Sequence, residues 1–194
     1  RVIESNFAEV PSPIGGAIGR CSTEPRALDE YIDYVKSTIP GDLKGVRVGL
    51  DCANGAAYEA AVKAFRELGA VVRVINDNPD GENINDACGS TYLDNIANYV
   101  KEHDLDLGIA YDGDGDRCLA VDENGNTMDG DVIMAIIANY LKSKGNLKKD
   151  TLVATVMSNL GLNKFSEESK MSLKQTKVGD RYVLEEMLKN GYNL

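Results

Sequence analysis

The sequence predicts an α/β protein made of two consecutive three-layer α/β/α domains with mixed, mainly parallel sheets. Short apolar segments with strand-like alternation are followed by segments with helical periodicity, and this pattern starts again near Thr127. Strand–helix alternation places strands parallel to one another, with helices on both faces of the sheet. We assign residues 21–126 to the first domain, residues 127–194 to the second, and residues 1–20 to a linker or the tail of a preceding domain.

The first domain is predicted to contain four strands and three helices. The strands are expected at Val46–Asp51, Ala70–Ile75, Leu105–Ala110 and Cys118–Val121, and the helices at Glu24–Thr38, Ala56–Leu68 and Thr91–His103. The segment 76–90 is rich in Asn, Asp, Gly and Pro and is predicted to be a long loop. Ser90 or Thr91 is the expected N-cap of the helix that follows it.

The second domain is predicted to continue the same alternation. Helices are expected at Asp131–Lys144, Leu160–Glu168 and Arg181–Lys189, with strands at Leu152–Val156 and Ser172–Lys177 and a further strand beginning at Tyr192–Leu194. A compact domain rarely ends where a strand begins, and the sequence does not start with Met. We therefore expect a piece of a longer protein, in which the second domain is incomplete.

Composition excludes several classes of function. The net charge is −10 with no basic stripe, which argues against nucleic-acid and anionic-membrane partners. No apolar run approaches the ~20 residues needed to span a bilayer. Four cysteines without a C-x-x-C pair indicate a reduced, cytoplasmic protein, with Cys52 and Cys118 expected as buried thiols. The single histidine, His103, makes a zinc site or a Ser-His triad a poor explanation.

The segment YDGDGDR at residues 111–117 carries the clearest chemical signal. Asp112, Asp114 and Asp116 alternate with two glycines directly after an apolar strand, so their side chains are expected to converge on one side. Converging carboxylates repel unless a cation lies between them, and an all-carboxylate set suits Mg²⁺ or Ca²⁺ rather than zinc. Arg117 follows and offers a guanidinium to a phosphate. The pattern predicts a magnesium site used in phosphoryl chemistry.

Three other interpretations of this segment remain open at this point. The first is a solvated acidic turn, because Asp and Gly are common in turns. The second is an EF-hand loop, but that pattern requires a glycine where Arg117 stands and needs flanking helices. The third is a phosphatase of the haloacid dehalogenase type, in which Asp112 would be the nucleophile.

Other turns at predicted strand ends are candidates of lower specificity. KVGDRY at residues 177–182 joins a strand to a helix, so that Gly179 permits a tight turn and the helix N-terminus offers N–H groups to an anion. Asp180 as a helix N-cap and Arg181 as a solvated side chain explain this segment as well. DCANG at residues 51–55 is expected to make a turn, with Asp51 and Asn54 pointing into the site as the alternative. Ser158 and Asn159 are candidates to line the site, and a helix cap at Ser158 or Asn159 explains them as well.

The motifs together resemble the α-D-phosphohexomutase superfamily, and within it the phosphoglucosamine mutase branch. The resemblance covers the chain from about Glu24 to its end. It rests on DCANGA at 51–56, GENIND at 81–86, YDGDGDR at 111–117, VDENGN at 121–126, DGD at 129–131, VMSNLGL at 156–162 and KVGDRYV at 177–183.

The resemblance implies which parts of such an enzyme are present. Members have four domains around one cleft, and residues 21–126 and 127–194 would be the second and third. Asp112, Asp114 and Asp116 would hold Mg²⁺, Arg117 would contact the phosphoryl group or the substrate, and Gly179, Asp180 and Arg181 would face the sugar. The nucleophilic phosphoserine of the first domain and the phosphate-binding fourth domain are not in this sequence, so the chain alone is expected to be inactive.

The resemblance also implies a reaction. A phosphoserine phosphorylates the phosphosugar to a 1,6-bisphosphate, which reorients and returns its other phosphate to the serine. Glucosamine 6-phosphate and glucosamine 1-phosphate would thus be interconverted for cell-wall precursor synthesis. A related phosphomannomutase or phosphoglucomutase, and a simple divalent-ion-binding module, are the alternative functions. No pattern in the sequence indicates an oligomeric state.

Overall fold

The computed structural model describes residue 5 and residues 12–194, and it contains six longer helices and seven strands in that part of the chain. The helices are α1 (Ala27–Ser37), α2 (Ala57–Glu67), α3 (Leu93–Glu102), α4 (Gly130–Ser143), α5 (Leu160–Glu168) and α6 (Asp180–Asn190). The strands are β1 (Arg47–Asp51), β2 (Val71–Ile75), β3 (Leu107–Tyr111), β4 (Cys118–Asp122), β5 (Thr127–Met128), β6 (Thr151–Thr155) and β7 (Ser172–Thr176). None of the helices in these residues has the length and apolar character that a membrane span requires.

Strands β1 to β5 form one mixed sheet in the order β2-β1-β3-β4-β5. Strand β1 pairs in parallel with both β2 and β3, whereas β3–β4 and β4–β5 are antiparallel. Asp51 at the end of β1 is paired with Ala110, one residue before the end of β3. The turns that follow these two neighbouring parallel strands therefore emerge side by side at one edge of the sheet.

Helices cover both faces of this sheet, which confirms the predicted three-layer arrangement. Val48 and Leu50 on β1 lie on one face, where they pack with Val62 of α2. On the other face, Ile96 and Val100 of α3 are fully buried and pack with residues of β3 and β4. Side chains of adjacent strand residues alternate between the two clusters, as the pleat of a strand requires.

Residues 130–194 form a second α/β region around a smaller sheet. Strands β6 and β7 are parallel, and the connection between them is α5. Leu152 is fully buried and packs with Leu162 of α5 and with side chains of α4. Helix α6 contacts β6 and β7, but none of its residues is fully buried.

Most predicted elements are confirmed to within two or three residues at each end, and four details were wrong. Residues Gly89–Thr91 form a 3-10 turn, so α3 begins after Tyr92 and neither Ser90 nor Thr91 caps it. Residues 192–194 form no strand, although the Val153 N–H donates to the Leu194 carbonyl at 2.9 Å. Gly179, not Asp180, holds the N-cap position of α6. Cys118 is exposed, because it opens β4 beside the exposed turn, whereas Cys52 is buried as predicted.

Candidate functional site

The loop of residues 112–117 crosses the end of the β3–β4 hairpin, at the edge where β1 and β3 finish. Tyr111 and Cys118 face each other across the antiparallel pair, so strands flank the loop. An EF-hand loop requires flanking helices, and the structure therefore does not fit that interpretation. Inside the loop, the Asp112 N–H donates to the Arg117 carbonyl at 3.2 Å and the Gly115 N–H to the Asp112 carbonyl at 3.1 Å. Gly115 adopts a φ of +73°, a conformation that glycine accepts without strain.

The three aspartates of this loop converge. One carboxylate oxygen from each of Asp112, Asp114 and Asp116 can be chosen so that all three lie within 4.8 Å of one another. Asp112 is buried, and Asp114 and Asp116 are exposed. The cluster therefore has one rigid, enclosed side and one side open to solvent, where a ligand can enter.

Arg117 holds the buried member of the cluster. Its backbone N–H donates to Oδ1 of Asp112 at 3.0 Å, and its Nε donates to Oδ2 at 2.7 Å. Burial would raise the pKa of Asp112, but the two hydrogen bonds and the charge of Arg117 outweigh it and lower that pKa. Asp112 is thus kept ionised, while the Arg117 side chain remains 74% exposed and free to approach an anion through its Nη groups.

The electrostatics of the cluster fit a divalent cation. The pKa of Asp116 is raised, chiefly by the charge of Asp114 and then by burial and Asp112, because like charges close together disfavour ionisation. Among the described residues, Arg117 is the only cationic side chain at ion-pair distance from these carboxylates. Three oxygen donors with one positive neighbour match the oxygen-rich, open coordination that Mg²⁺ prefers.

The turn after β1 packs directly against this loop. The Ala56 N–H donates to the Gly113 carbonyl at 2.8 Å. A Cβ on Gly55 would lie 2.2 Å from that same oxygen, and a Cβ on Gly113 would lie 2.5 Å from Nδ2 of Asn85. The predicted long loop after β2 and the DCANG turn thus enclose the aspartate loop from two sides, which leaves no room for side chains at Gly55 and Gly113.

The second predicted group, Gly179, Asp180 and Arg181, lies at the end of β7. Gly179 has a φ of +130° and precedes α6. The Asp180 carboxylate accepts from the Arg181 N–H at 2.7 Å, and Nε of Arg181 donates to Glu185 of the same helix at 2.9 Å. Within the part of the chain that the structure describes, no hydrogen bond or ion pair joins this group to the aspartate loop.

A cleft of about 370 Å³ lies at the carboxyl end of β6, and none of Gly179, Asp180 and Arg181 is among its lining residues. Its lining includes Asp129, Asp131 and Ser158, together with Val183 of α6. The Asp131 carboxylate accepts from the Asn159 N–H at 2.7 Å, which fixes the turn after β6. Asn159 in turn caps α5 by accepting from the Leu162 N–H at 3.0 Å, as predicted.

Two protein-family descriptions match the chain. Residues 29–125 match the phosphoglucomutase/phosphomannomutase alpha/beta/alpha domain II, and residues 129–194 match domain III of the same family. The chain belongs to the phosphoglucomutase/phosphomannomutase family. The aspartate loop falls within the domain II match, and the cleft at the end of β6 within the domain III match.

Curated relatives place the chain near one branch of this family. It is 60% identical over all 194 residues to a phosphoglucosamine mutase of Clostridium beijerinckii, and 58% identical to one of Clostridium acetobutylicum. The chain spans 43% of the length of each of these relatives.

Solved structures support the fold of this phosphohexomutase chain. A putative phosphomannomutase from Thermus thermophilus superposes with a TM-score of 0.75 at 20% identity, covering 96% of this chain and 44% of that one. A phosphoglucomutase/phosphomannomutase family protein from Burkholderia thailandensis gives a TM-score of 0.74 at 22% identity, over 85% of this chain and 36% of that one. At these identities the likeness concerns the fold alone.

Sequence reasoning undervalued two carboxylates. The favoured prediction for Asp51 is turn formation, yet it is fully buried and accepts hydrogen bonds from three chain segments. Asp131 was noted only as part of a motif, yet it fixes the turn after β6. For Asp51 the available signal is a carboxylate at the end of an apolar strand, but its distant partners cannot be read from the sequence.

Proposed function

We propose that this chain provides the metal-binding and sugar-facing regions of a phosphoglucosamine mutase, which interconverts glucosamine 6-phosphate and glucosamine 1-phosphate. The observation that carries the proposal is the convergence of Asp112, Asp114 and Asp116 at the carboxyl end of a strand. The 60% identity to phosphoglucosamine mutases supports the choice of this branch. Phosphomannomutase and phosphoglucomutase activities are the alternatives within the family.

In the proposed reaction, the chain's own residues position charge around the moving phosphoryl group. Asp112, Asp114 and Asp116 would hold Mg²⁺, which when bound offsets the negative charge that develops during transfer. Arg117 keeps Asp112 ionised through its Nε, and its Nη groups can donate to a phosphate oxygen. The nucleophile would be a phosphoserine from a region outside this chain, which gives its phosphoryl group to the sugar phosphate.

The bisphosphate so formed must turn round before its other phosphate returns to the serine. We assign Gly179, Asp180 and Arg181 to the side of the cleft that faces the sugar. The cleft at the end of β6 adjoins α6, and the N-terminus of a helix favours an anion. This chain alone is expected to have no mutase activity, because its proposed role does not include the nucleophile.

The experiment that tests the proposal uses the protein extended to the length of its relatives. Asp114→Ala is expected to lower the turnover of glucosamine 6-phosphate by about 100-fold or more, as the loss of a main electrostatic stabiliser does. Asp94→Ala is the matched control, because Asp94 is exposed in the first turn of α3 and should leave turnover unchanged. Full activity in Asp114→Ala would contradict the proposed site.

Two further assays separate the alternatives. Turnover of mannose and glucose phosphates, compared with that of glucosamine phosphate, distinguishes the branches of the family. Mg²⁺-dependent release of phosphate by the 194-residue chain alone, with an acyl-phosphate on Asp112, would indicate a phosphatase. The structure gives that outcome little support, because Asp112 is only 3% exposed and both its oxygens accept hydrogen bonds from Arg117.

A further inference from the structure

A buried carboxylate outside the aspartate loop organises the backbone on which that loop rests. Asp51 at the end of β1 is 0% exposed, and among the described residues it forms no ion pair with Lys or Arg. Burying an unpaired carboxylate is costly unless hydrogen bonds replace its water shell. Asp51 obtains three such bonds, and each comes from a different part of the chain.

The donors to Asp51 mark the points where three segments meet. Oδ1 accepts from the Ala53 N–H and from Nδ2 of Asn76, both at 3.0 Å. Oδ2 accepts from the Gly89 N–H at 2.9 Å. The carboxylate therefore links the turn after β1 to both ends of the long loop after β2, to Asn76 at its start and to Gly89 near its end.

Two of these segments contact the aspartate loop or the residue that precedes it. The Asn85 N–H donates to the Ala53 carbonyl at 2.9 Å, which brings the middle of the long loop over Gly113. A Cβ on Gly89 would lie 2.4 Å from the Tyr111 carbonyl oxygen, so this segment packs on the residue that precedes Asp112. The loop is thus held at its start by one end of the long loop and at its centre by the turn after β1.

The turn after β1 contains strained backbone. Ala53 and Asn54 have φ values of +53° and +47°, in a region that alanine rarely adopts. Strained backbone of this kind persists only where the surrounding structure fixes it. The hydrogen bond from the Ala53 N–H to Asp51 is one of the contacts that fix it here, together with the hydrogen bonds from the Asn85 N–H to the Ala53 carbonyl and from the Asn54 N–H to the Asn76 carbonyl.

We propose that Asp51 is a positioning residue for the aspartate loop: it makes no contact with the proposed metal itself, but sets the placement of Gly113 and Tyr111 and so the convergence of the three carboxylates. The metal part of this proposal rests on the proposed function. The placement of the loop does not, because it can be measured without any ligand.

The test replaces the carboxylate by an amide of the same shape. In Asp51→Asn, one oxygen becomes an NH₂ group, so either the Gly89 N–H or the two donors at Oδ1 lose their acceptor. Amide hydrogen exchange at residues 112–117 is expected to accelerate, and Mg²⁺ affinity measured by calorimetry to fall by about 10-fold or more, as for other outer-shell changes. Val100→Ala is the control, because it removes fully buried atoms of the same region away from the loop.

The outcomes separate positioning from general stability. If Asp51→Asn leaves exchange at residues 112–117 as in the parent chain, or if Val100→Ala accelerates it equally at the same loss of thermal midpoint, the positioning role is wrong. If Asp51→Asn does not fold, Asn76→Gly removes one donor while keeping the positive φ of +53°. That variant should show the same two changes in smaller size, and unchanged loop exchange in it overturns the proposal.

The metal measurement distinguishes this inference from the proposed function. If the parent chain binds no Mg²⁺ but Asp51→Asn still frees the amides of residues 112–117, the positioning role stands and the metal assignment fails. If Mg²⁺ binds equally well to both proteins and loop exchange is unchanged, the metal assignment stands and the role of Asp51 is overturned.

Discussion

The turn after β3 and the turn after β7 are both built from Asp, Gly and Arg, but the structure surrounds them very differently. In the first turn, Asp112 is 3% exposed and Gly113 is enclosed by two distant segments. In the second, the Arg181 side chain pairs with Glu185 of its own helix, and α6 has no buried residue. Similar local composition thus gives an enclosed cluster in one place and an open turn in the other. The difference is that segments distant in the sequence pack against the first turn.

The same contrast separates the two regions as a whole. The first has a five-stranded sheet with a buried cluster on each face, whereas the second has two strands and smaller buried clusters. In the second region, apolar side chains of α4 and α6 such as Ile136 and Leu188 are 58% and 74% exposed. We therefore expect the second region to open at a lower free energy than the first.

Truncation of one core leucine in each region is expected to give the largest difference in stability between the two regions. Leu50 and Leu152 are both 0% exposed in strands of the two sheets. Leu50→Ala and Leu152→Ala are each expected to destabilise their region by about 2–5 kcal/mol, through lost burial and a residual cavity. Hydrogen exchange followed residue by residue should show β6 and β7 opening in Leu152→Ala while β1 and β3 remain protected.

The reverse experiment shows whether the regions are coupled. Leu50→Ala should accelerate exchange in β1 to β4. Cys52 and Cys88 are buried in the first region. They should therefore become reactive to a thiol reagent in Leu50→Ala, whereas they are protected in the parent protein. Burial raises the pKa of Cys52 to about 12, so its thiol reacts only after opening. Equal exchange in both sheets in either variant would show one cooperative unit and remove the distinction.

A backbone contact provides the next test. Gly55→Ala would place a Cβ 2.2 Å from the Gly113 carbonyl oxygen. Because the atoms that it meets belong to the backbone of Gly113, we expect a loss of about 3 kcal/mol, at the upper end for overpacking. Gly130→Ala in α4 meets no atom within 4 Å and should stabilise by up to about 1 kcal/mol, since it restricts only the unfolded chain. Urea unfolding measures the change in the free energy of unfolding for both variants. A small effect of Gly55→Ala would mean that the aspartate loop can move away from the turn after β1.

The contrast also explains which features could be predicted from the sequence. Strands and helices followed from the periodicity of apolar residues, many of which are buried: Val62 on α2, and Val48 and Leu50 on β1. The convergence of the aspartates followed from their alternation after a strand. The role of Asp51 did not, because its partners Asn76 and Gly89 are 25 and 38 residues away.

The errors at element ends have the same origin. Thr91 has the right residue type for an N-cap, but the 3-10 turn at Gly89–Thr91 places Tyr92 in that position. The Gly89 N–H at the start of that turn donates to the carboxylate of Asp51. Tertiary contacts of this kind override local capping preferences, so they can be found only from the fold.

Helix caps give a smaller effect that is specific to the second region. Asn159 caps α5 through its side chain, so Asn159→Ala is expected to cost about 1 kcal/mol. Thr91→Ala is the matched control in the first region, where Thr91 makes no cap bond and α3 starts without one, and it should be close to neutral. Thermal unfolding of both variants measures the difference, and an equal loss in the two would restore Thr91 as a cap.

An exposed ion pair in the first region gives the smallest effect, and its dependence on pH has a definite sign. Arg47 donates to Asp106 through Nη2 at 2.7 Å, and both side chains are more than a third exposed, so the pair contributes little. The hydrogen bonds from the Arg47 side chain and backbone lower the pKa of Asp106. Its stabilising contribution is therefore complete above the unfolded value of about 3.9 and is lost as the pH falls through the lower folded value.

Asp106→Asn should consequently be slightly less stable than the parent at pH 7, and the difference should disappear in strongly acidic solution. The pair Arg181–Glu185 in the second region joins residues of one helix four positions apart, so Glu185→Gln should change only local exchange in α6. Urea midpoints of the parent and both variants at pH 7 and at acidic pH measure these effects. If Asp106→Asn is destabilised equally at every pH, the lost contact is the neutral hydrogen bond to the Arg47 backbone rather than the charge, and the two regions then differ in packing but not in surface electrostatics.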